Sequence, residues 1–490
     1  MSRARLLVLA LVLAVAAGCG VKGTMAPNAA PETVVFVEGP VDTVNHVVHL
    51  RWFGSDVDGQ VVRYEYKFIY QAGQEPSGYD SSAWFSTVRK DSIFAVYTPN
   101  GYSMPTFVIR SIDDEGIADP TPARQTFQFK NDPPTVTLVG NPILPGTTLP
   151  VATINWTSND PDGDIRLAHY LVWLDANEAN ATVVPSVTTF TLPPAMFSDG
   201  AGGYLAGSHT VNIRAVDDGG AVSAPASFTW NVVAPQGDVL LLDDDPAAQS
   251  AAVDPMYVNA LDHQLGAGNY TKFDLEFANP FRSAQDLTYG FGLFKAVVWY
   301  QENNVARSGT LAMAEPAIRA MLAGGGDVYI CSQTLVGTNA AIPSQAFLEE
   351  IVGADSVRTN LKTLTTNFNV STGAVLRPVA APFDSLRAVG GSLAVDALVL
   401  KSSADAIYLA PPIVMDSTQV EDWLPGVDRV PAGGTGRLVF LTFPLRFLGG
   451  TPPNPDGSAG PPPPAPDANY GERTLRKILW YRFQLGNAAP

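Results

Sequence analysis

Two periodicities divide the chain. Between residues 47 and 129, apolar and polar positions tend to alternate with period two, over 47–53, 61–70, 107–112 and 125–129. Turn residues separate these stretches, and short half-buried strands at such spacing predict a β-sandwich. After Asp238 the pattern changes. Residues 239–242 are apolar without a break, and 296–300 and 328–331 repeat that character. Strands covered on both faces of a parallel sheet read in this way. Helices are predicted over 251–265, 308–322, 344–352 and 472–485, with further strands over 272–277, 394–401, 406–409 and 437–443. This alternation predicts a doubly wound, flavodoxin-like α/β domain, with any site at the carboxyl ends of its strands.

The β part contains an internal repeat. Trp52, Asp56, Asp58 and Gly59 recur as Trp156, Asp160, Asp162 and Gly163, and Tyr66 recurs as Tyr170. Ile109, Arg110, Asp113, Asp114 and Gly116 recur as Ile213, Arg214, Asp217, Asp218 and Gly220. Every pair is offset by 104 residues, and chance similarity does not hold one offset across separate motifs. The expected architecture is therefore multidomain: all-β sandwiches at 32–131 and 132–234, then the α/β domain at 236–490. Asp132-Pro133-Pro134 reads as a stiff hinge between copies, and a proline-rich loop at 451–467 can join neither a helix nor a central strand.

Residues 1–18 carry Arg3 and Arg5, an apolar run too short to span a membrane, and small residues at the end. That is the form of a secretory signal. Its ending, Ala16-Ala17-Gly18-Cys19, resembles the lipobox of bacterial lipoproteins. The resemblance implies cleavage before Cys19, lipidation of Cys19 and a membrane anchor followed by a tether over 19–31. Ala16 departs from the family's usual Leu. Gly20 stands where the family's inner-membrane retention signal has Asp, so an outer-membrane location in the cell envelope is expected. Ordinary secretion is the alternative. With Cys19 acylated, Cys331 has no partner, and the domains must stand on core packing without a disulfide.

Charge narrows the partners. The chain has 30 Lys and Arg against 47 Asp and Glu, a net charge of −17, and loses two more cations with the signal. Such a surface excludes nucleic acid as a partner and suits a solvated exterior or divalent cations. The acidic turns of the repeat bear on the second option. In a sandwich, the turn holding Asp56 and Asp58 and the turn holding Asp113 and Asp114 lie at the same end, as do Asp160 and Asp162 with Asp217 and Asp218. Converging carboxylate oxygens suit Ca²⁺. The competing reading is turn chemistry, with Asx hydrogen bonds and Gly supplying positive φ. No other cofactor is expected. His46, His49, His169 and His209 are expected on strand surfaces.

A Trp on an early strand, alternating Tyr on the next and a late strand ending in Asp-Asp-x-Gly resemble fibronectin type III and immunoglobulin-like modules of bacterial surface proteins. The third domain resembles the class I glutamine amidotransferase-like superfamily, in its secreted, often non-enzymatic branch. The resemblance rests on Leu241-Leu242-Asp243-Asp244-Asp245, on 296–300, on 324–331 and on 440–445. Active members place a nucleophile in a Gly-x-Cys-x-Gly elbow with a late His, and Cys331 falls at the nucleophile position. Here Tyr329 and Gln333 replace both glycines, and no His follows Cys331. A thiolate needs such a base, and the domain's one His, His263, sits on the first helix. Amidotransferase catalysis is therefore not expected. The acidic strand end, Asp243, Asp244 and Asp245 with Glu302, is the candidate ligand crevice for Mg²⁺ or Ca²⁺, with helix capping as the competing reading. The expected role is binding or structural display at a bacterial surface, with a polysaccharide or protein ligand. The alternative is a secreted hydrolase using Cys331 or the acidic crevice.

Overall fold

The structure, a computed structural model, describes residues 27–42, 46–99, 101–162, 167–302, 309–332, 343–358, 375–388, 396–402, 405–416, 419–445, 448–449, 464–465, 467, 469–487 and 489–490. The signal, Cys19, Gln333 and most of the proline-rich loop lie outside them. The chain forms two compact units, one of Met1–Thr135, Asn159–Ala168 and Ala215–Ser223, the other of Val136–Ser158, His169–Arg214 and Ala224–Pro490.

In the first unit, nine strands form the first sandwich: β1 (Glu32–Val37), β2 (Val47–Ser55), β3 (Val61–Ile69), β4 (Phe85–Thr87), β5 (Asp91–Ala95), β6 (Gly101–Ser103), β7 (Thr106–Asp113), β8 (Ala123–Thr126) and β9 (Phe129–Asn131). They pair in the orders β1-β2-β5, β4-β3-β7-β8 and β6-β9. The alternation along β2 turns Val48, Leu50 and Trp52 onto a core shared with Tyr64, Phe107 and Ile109. Trp52 keeps its indole N–H satisfied by donating to the Arg89 carbonyl at 2.8 Å, as a buried Trp requires. The single strand expected over 125–129 is two. β8 pairs with β7, and β9 pairs with β6. The chain changes sheets between them, while Phe127 and Phe129 both line one core, so the period of two survives the switch. The acidic turns of the second copy complete this unit.

The second copy comprises β10 (Thr135–Val139), β11 (Thr147–Thr148), β12 (Ala152–Asn159), β13 (Leu167–Leu174), β14 (Thr182–Pro185), β15 (Thr189–Leu192), β16 (Gly207–Asp217) and β17 (Ala226–Val232). Its sheets run β10-β12-β15 and β11-β17-β16-β13-β14. Trp156 packs edge-on against Tyr170 with ring centres 5.0 Å apart, as Trp52 packs edge-on against Tyr64 in the first copy.

The rest of the second unit is an α/β domain. Its strands β18 (Val239–Asp243), β19 (Thr271–Asp274), β20 (Ala296–Gln301) and β21 (Asp327–Ser332) alternate with α1 (Ala247–Leu265), α2 (Ala284–Phe291), α3 (Thr310–Met313) and α4 (Glu315–Ala323). Then follow β22 (Ala354–Arg358), β23 (Val375–Pro378), β24 (Leu386–Ala388), β25 (Ala397–Leu400), β26 (Tyr408–Asp416), β27 (Gln419–Trp423), β28 (Gly426–Arg429), β29 (Leu438–Leu441), β30 (Leu448–Gly449) and α5 (Tyr470–Tyr481). The main sheet runs β19-β18-β20-β21-β29-β28, parallel throughout except for β28 at the edge. Both faces are covered. Leu241, Val298, Tyr329 and Val439 pack with α1 and α5, while Leu240, Trp299, Ile330 and Phe440 pack with α2 and α4. That is why these strands read as unbroken apolar runs. The helix expected over 308–322 is broken, and Pro316, which has no N–H to donate, sits in the first turn of the restarted α4. Between β21 and β29 the chain adds the small sheet β22-β25 and most of a second, β27-β26-β23-β24-β30, whose edge strand β30 follows β29; of these the sequence pattern shows only two short segments.

The second sandwich shares a core with this domain. Leu149 and Val151 join Phe281, Leu287 and Phe291 in one apolar cluster. Gly290 makes room for it, since a Cβ there would lie 2.7 Å from the Phe281 ring. Beside it, Thr153 Oγ1 donates to Asp286 Oδ1 at 2.6 Å, with the Ser283 and Thr191 hydroxyls 2.8 and 2.7 Å away. Asp286 also closes a capping box with Ser283 at the start of α2, which is why a carboxylate is tolerated at full burial.

Candidate functional site

The carboxyl ends of the parallel strands bring the predicted crevice residues together. Asp243 ends β18, Asp244 and Asp245 follow it, and Glu302 follows β20; all four are buried. Asp243 Oδ1 accepts the Asp245 N–H at 3.0 Å. Burial is the main cause that pushes the Asp243 carboxyl up to about 6, with the charges of Asp274 and Asp254 adding to it. The Tyr300 hydroxyl donates to Asp254 at 2.9 Å. Asp244 Oδ2 accepts from the Trp299 indole at 3.2 Å and from the Gln301 amide. These bonds hold the acidic run onto the sheet just ahead of α1, whose first turn follows Pro246.

Cys331 lies one strand away and is completely buried. Its thiol is 3.2 Å from the Phe443 carbonyl and 3.7 Å from Glu302 Oε1. The same Glu302 oxygen accepts the Tyr257 hydroxyl at 2.8 Å and the Leu445 N–H at 2.7 Å. Tyr257 stacks on Tyr300 at 4.0 Å and roofs this network. Burial first, then the neighbouring Glu302 charge, pushes the Cys331 thiol well above its ordinary range. A thiol so placed is a packing group and a weak donor.

The acidic turns also lie where the repeat puts them. A Cβ on Gly59 would lie 2.7 Å from Asp56 Oδ2 and 2.6 Å from Asp114 Oδ1, so the two turns of the first copy do face each other across this glycine. Several of their carboxylate oxygens accept from N–H groups. Asp113 Oδ1 accepts from Glu115 and Ile117 at 3.0 and 2.7 Å, and Asp114 Oδ1 from Gln60 at 3.0 Å. In the second copy Asp217 Oδ1 accepts from Ala221 at 2.7 Å and Asp160 Oδ1 from Asp162 at 2.9 Å. Burial opposes ionisation of Asp113, but the Asn28 amide and the N–H groups of Ile117, Glu115 and Gly116 outweigh it and hold the carboxyl below its ordinary value.

The oxygen donors are of the kind Ca²⁺ takes. Yet among the described residues the one trio of His, Cys, Asp or Glu side chains with ligand atoms within 4.8 Å of one another is His263, Asp467 and Glu472. There, Asp467 is already neutralised by Arg476 at 2.5 Å and Arg473 at 3.3 Å.

No protein-family model and no curated protein matches the chain. Solved structures similar to it include the Clostridium thermocellum CbhA fibronectin(III)-like modules, at 15% identity and a TM-score of 0.18, covering 40% of this chain and 93% of that one. The chicken CNTN1 FN1–FN3 domains match at 14% identity and TM-score 0.19, covering 43% and 70%. A tetra-tandem repeat in the extending region of a large adhesion protein matches at 14% and TM-score 0.24, covering 43% and 51%. The sandwich fold here rests on the sheet orders and registers given above.

Two histidine expectations are corrected. His46 is fully buried, because it precedes β2 with φ of 51° and so escapes the strand alternation. Its Nδ1 is 2.5 Å from Thr98 Oγ1, and its Nε2 lies 3.1 Å from the Lys130 carbonyl and 3.7 Å from Asp162. His209 is also buried, with Nδ1 2.9 Å from Asp175. His49 does lie on the strand surface, 3.3 Å from Glu38. His169 is half-buried. The sequence reading missed the part played by Asn28 and Asn131. The available signal was an Asn three residues before a proline, Asn28 to Pro31 and Asn131 to Pro134, ahead of each copy.

Proposed function

We propose that this chain is a lipid-anchored protein of the bacterial cell envelope with a binding or structural display role. In this reading the sandwich modules carry a flavodoxin-like domain of the glutamine amidotransferase-like type that has lost its chemistry. The observation that carries the reading is Cys331: at the position where active relatives of that type hold a nucleophile, this thiol is sealed under the sheet and pushed up in pKa by burial. The Ala-Ala-Gly-Cys ending of the signal supports the anchor, and the shared core of second sandwich and α/β domain supports a presented, firmly held head. Changing Cys19→Ser is expected to abolish incorporation of labelled fatty acid and release the protein from the membrane fraction. Undiminished labelling of that variant overturns the anchor. One observation favours the hydrolase reading instead: a carboxyl at about 6, Asp243, at the acidic strand end. Such a value suits a general acid or base near neutral pH.

A further inference from the structure

Each copy's acidic end grips the chain segment that enters it. In the first copy the Asn28 amide donates to Asp113 Oδ2 at 2.7 Å, and the Ala29 N–H donates to Asp58 Oδ2 at 3.0 Å. In the second, the Asn131 amide donates to Asp217 Oδ2 at 2.8 Å, and the Asp132 N–H donates to Asp162 Oδ2 at 2.5 Å. The four acceptors are repeat partners, 104 residues apart, and the donors stand 103 apart. Turn chemistry does not require this, because in Asp113 and Asp217 the turn's own N–H groups bind the other carboxylate oxygen.

We propose that the acidic end of each sandwich is a socket for an Asn-x-x-Pro segment, recognised through one side-chain amide and the next backbone N–H. The chemistry explains the choice of residue. Two carboxylates need donors without an added acceptor charge, and Asn supplies a neutral N–H at short reach. Asp in its place would set like charges against each other at about 3 Å. Proline at the fourth position has no N–H of its own to satisfy and fixes φ near the extended region, so the segment leaves the socket straight. In the second copy the grip is out of water, with Asn131 1% and Asp217 2% exposed, whereas in the first the Asn28 bond is part-buried and the Ala29 bond exposed. Four of the eight carboxylates that resemble cation ligands, those of Asp58, Asp113, Asp162 and Asp217, are thus engaged in coupling each module to what precedes it, and the end of the tether is one of the coupled segments.

Hydrogen exchange of the Asp132 amide in the whole protein tests this. Native protein is expected to protect it. Asn131→Asp is expected to speed its exchange roughly tenfold or more at pH 7, the loss of a charge-assisted hydrogen bond. Combining Asn131→Asp with Asp217→Asn reverses the polarity of the pair, because the amide at position 217 then donates to the carboxylate at 131. That double variant is expected to recover near-native protection. Unchanged exchange in the single variant, or no recovery in the double, overturns the proposal. Should the single variant fail to fold, Asn28→Asp with and without Asp113→Asn, read at the Ala29 amide outside the sheets, carries the same two outcomes.

Discussion

At the scale of single residues, the site is decided by burial. Cys331 has a carbonyl and a carboxylate for neighbours and no imidazole or cationic group within the contacts described. Its thiol is expected to react with iodoacetamide at neutral pH more slowly than in the unfolded chain. Cys331→Ala is expected to cost only roughly 1 kcal/mol. Labelling faster than in the unfolded chain would reveal an activated thiolate and replace the display reading with the hydrolase. Asp243 makes a prediction with a definite sign. Its folded value of about 6 lies above the ordinary 3.8, so between those values the folded chain keeps a proton that the unfolded chain gives up. The stability linked to that proton is full below pH 4 and is lost as pH rises through 6. Asp243→Asn is therefore expected to be more stable than the native protein at pH 8, by roughly 1–3 kcal/mol, and nearly equal to it at pH 4. Urea unfolding at the two pH values checks this, and an advantage that does not change with pH removes burial as its cause.

At the scale of elements, the contact of β12 with the start of α2 is the joint that repays testing. Thr153→Val keeps the shape and removes the donor to Asp286, a carboxylate with no exposure to water. A loss of about 1–3 kcal/mol is expected in denaturant unfolding of the second unit, with Thr153→Ser close to native. Equal losses in the two variants would assign the effect to packing instead of the hydroxyl. The same joint shows what the sequence could and could not disclose. Val239 to Leu242 announces a doubly covered strand because each residue meets one helix layer or the other. Leu149 and Val151 announce nothing, since they precede a strand in a stretch with no period, and their partners lie more than a hundred residues on. The turn aspartates were legible as turns from Asp and Gly alone. That Asn28 reaches Asp113, 85 residues away, is a tertiary fact with only a faint trace in local composition.

At the scale of the molecule, each compact unit has its own logic. The first closes a sandwich and gathers the second copy's acidic turns around Asn131 and the buried His46. The second joins the remaining sandwich strands to a parallel sheet through shared apolar side chains. A boundary at residue 236, natural from the sequence, would therefore cut through a core and expose the α2 face that Leu149 covers.

The entry of the chain into the first sandwich has a mechanical side. β1 lies antiparallel to β2 over six registered pairs, from Glu32 opposite Ser55 to Val37 opposite Leu50. Tension applied from the N-terminal side first meets the Asn28 and Ala29 bonds, outside the sheet. Only after those yield does it reach β1, and it then pulls along the strand, loading the ladder in shear with its bonds sharing the force. A chain held by its beginning thus has a small, separately released latch in series with a stronger one, and the latch can re-form without unfolding the module behind it.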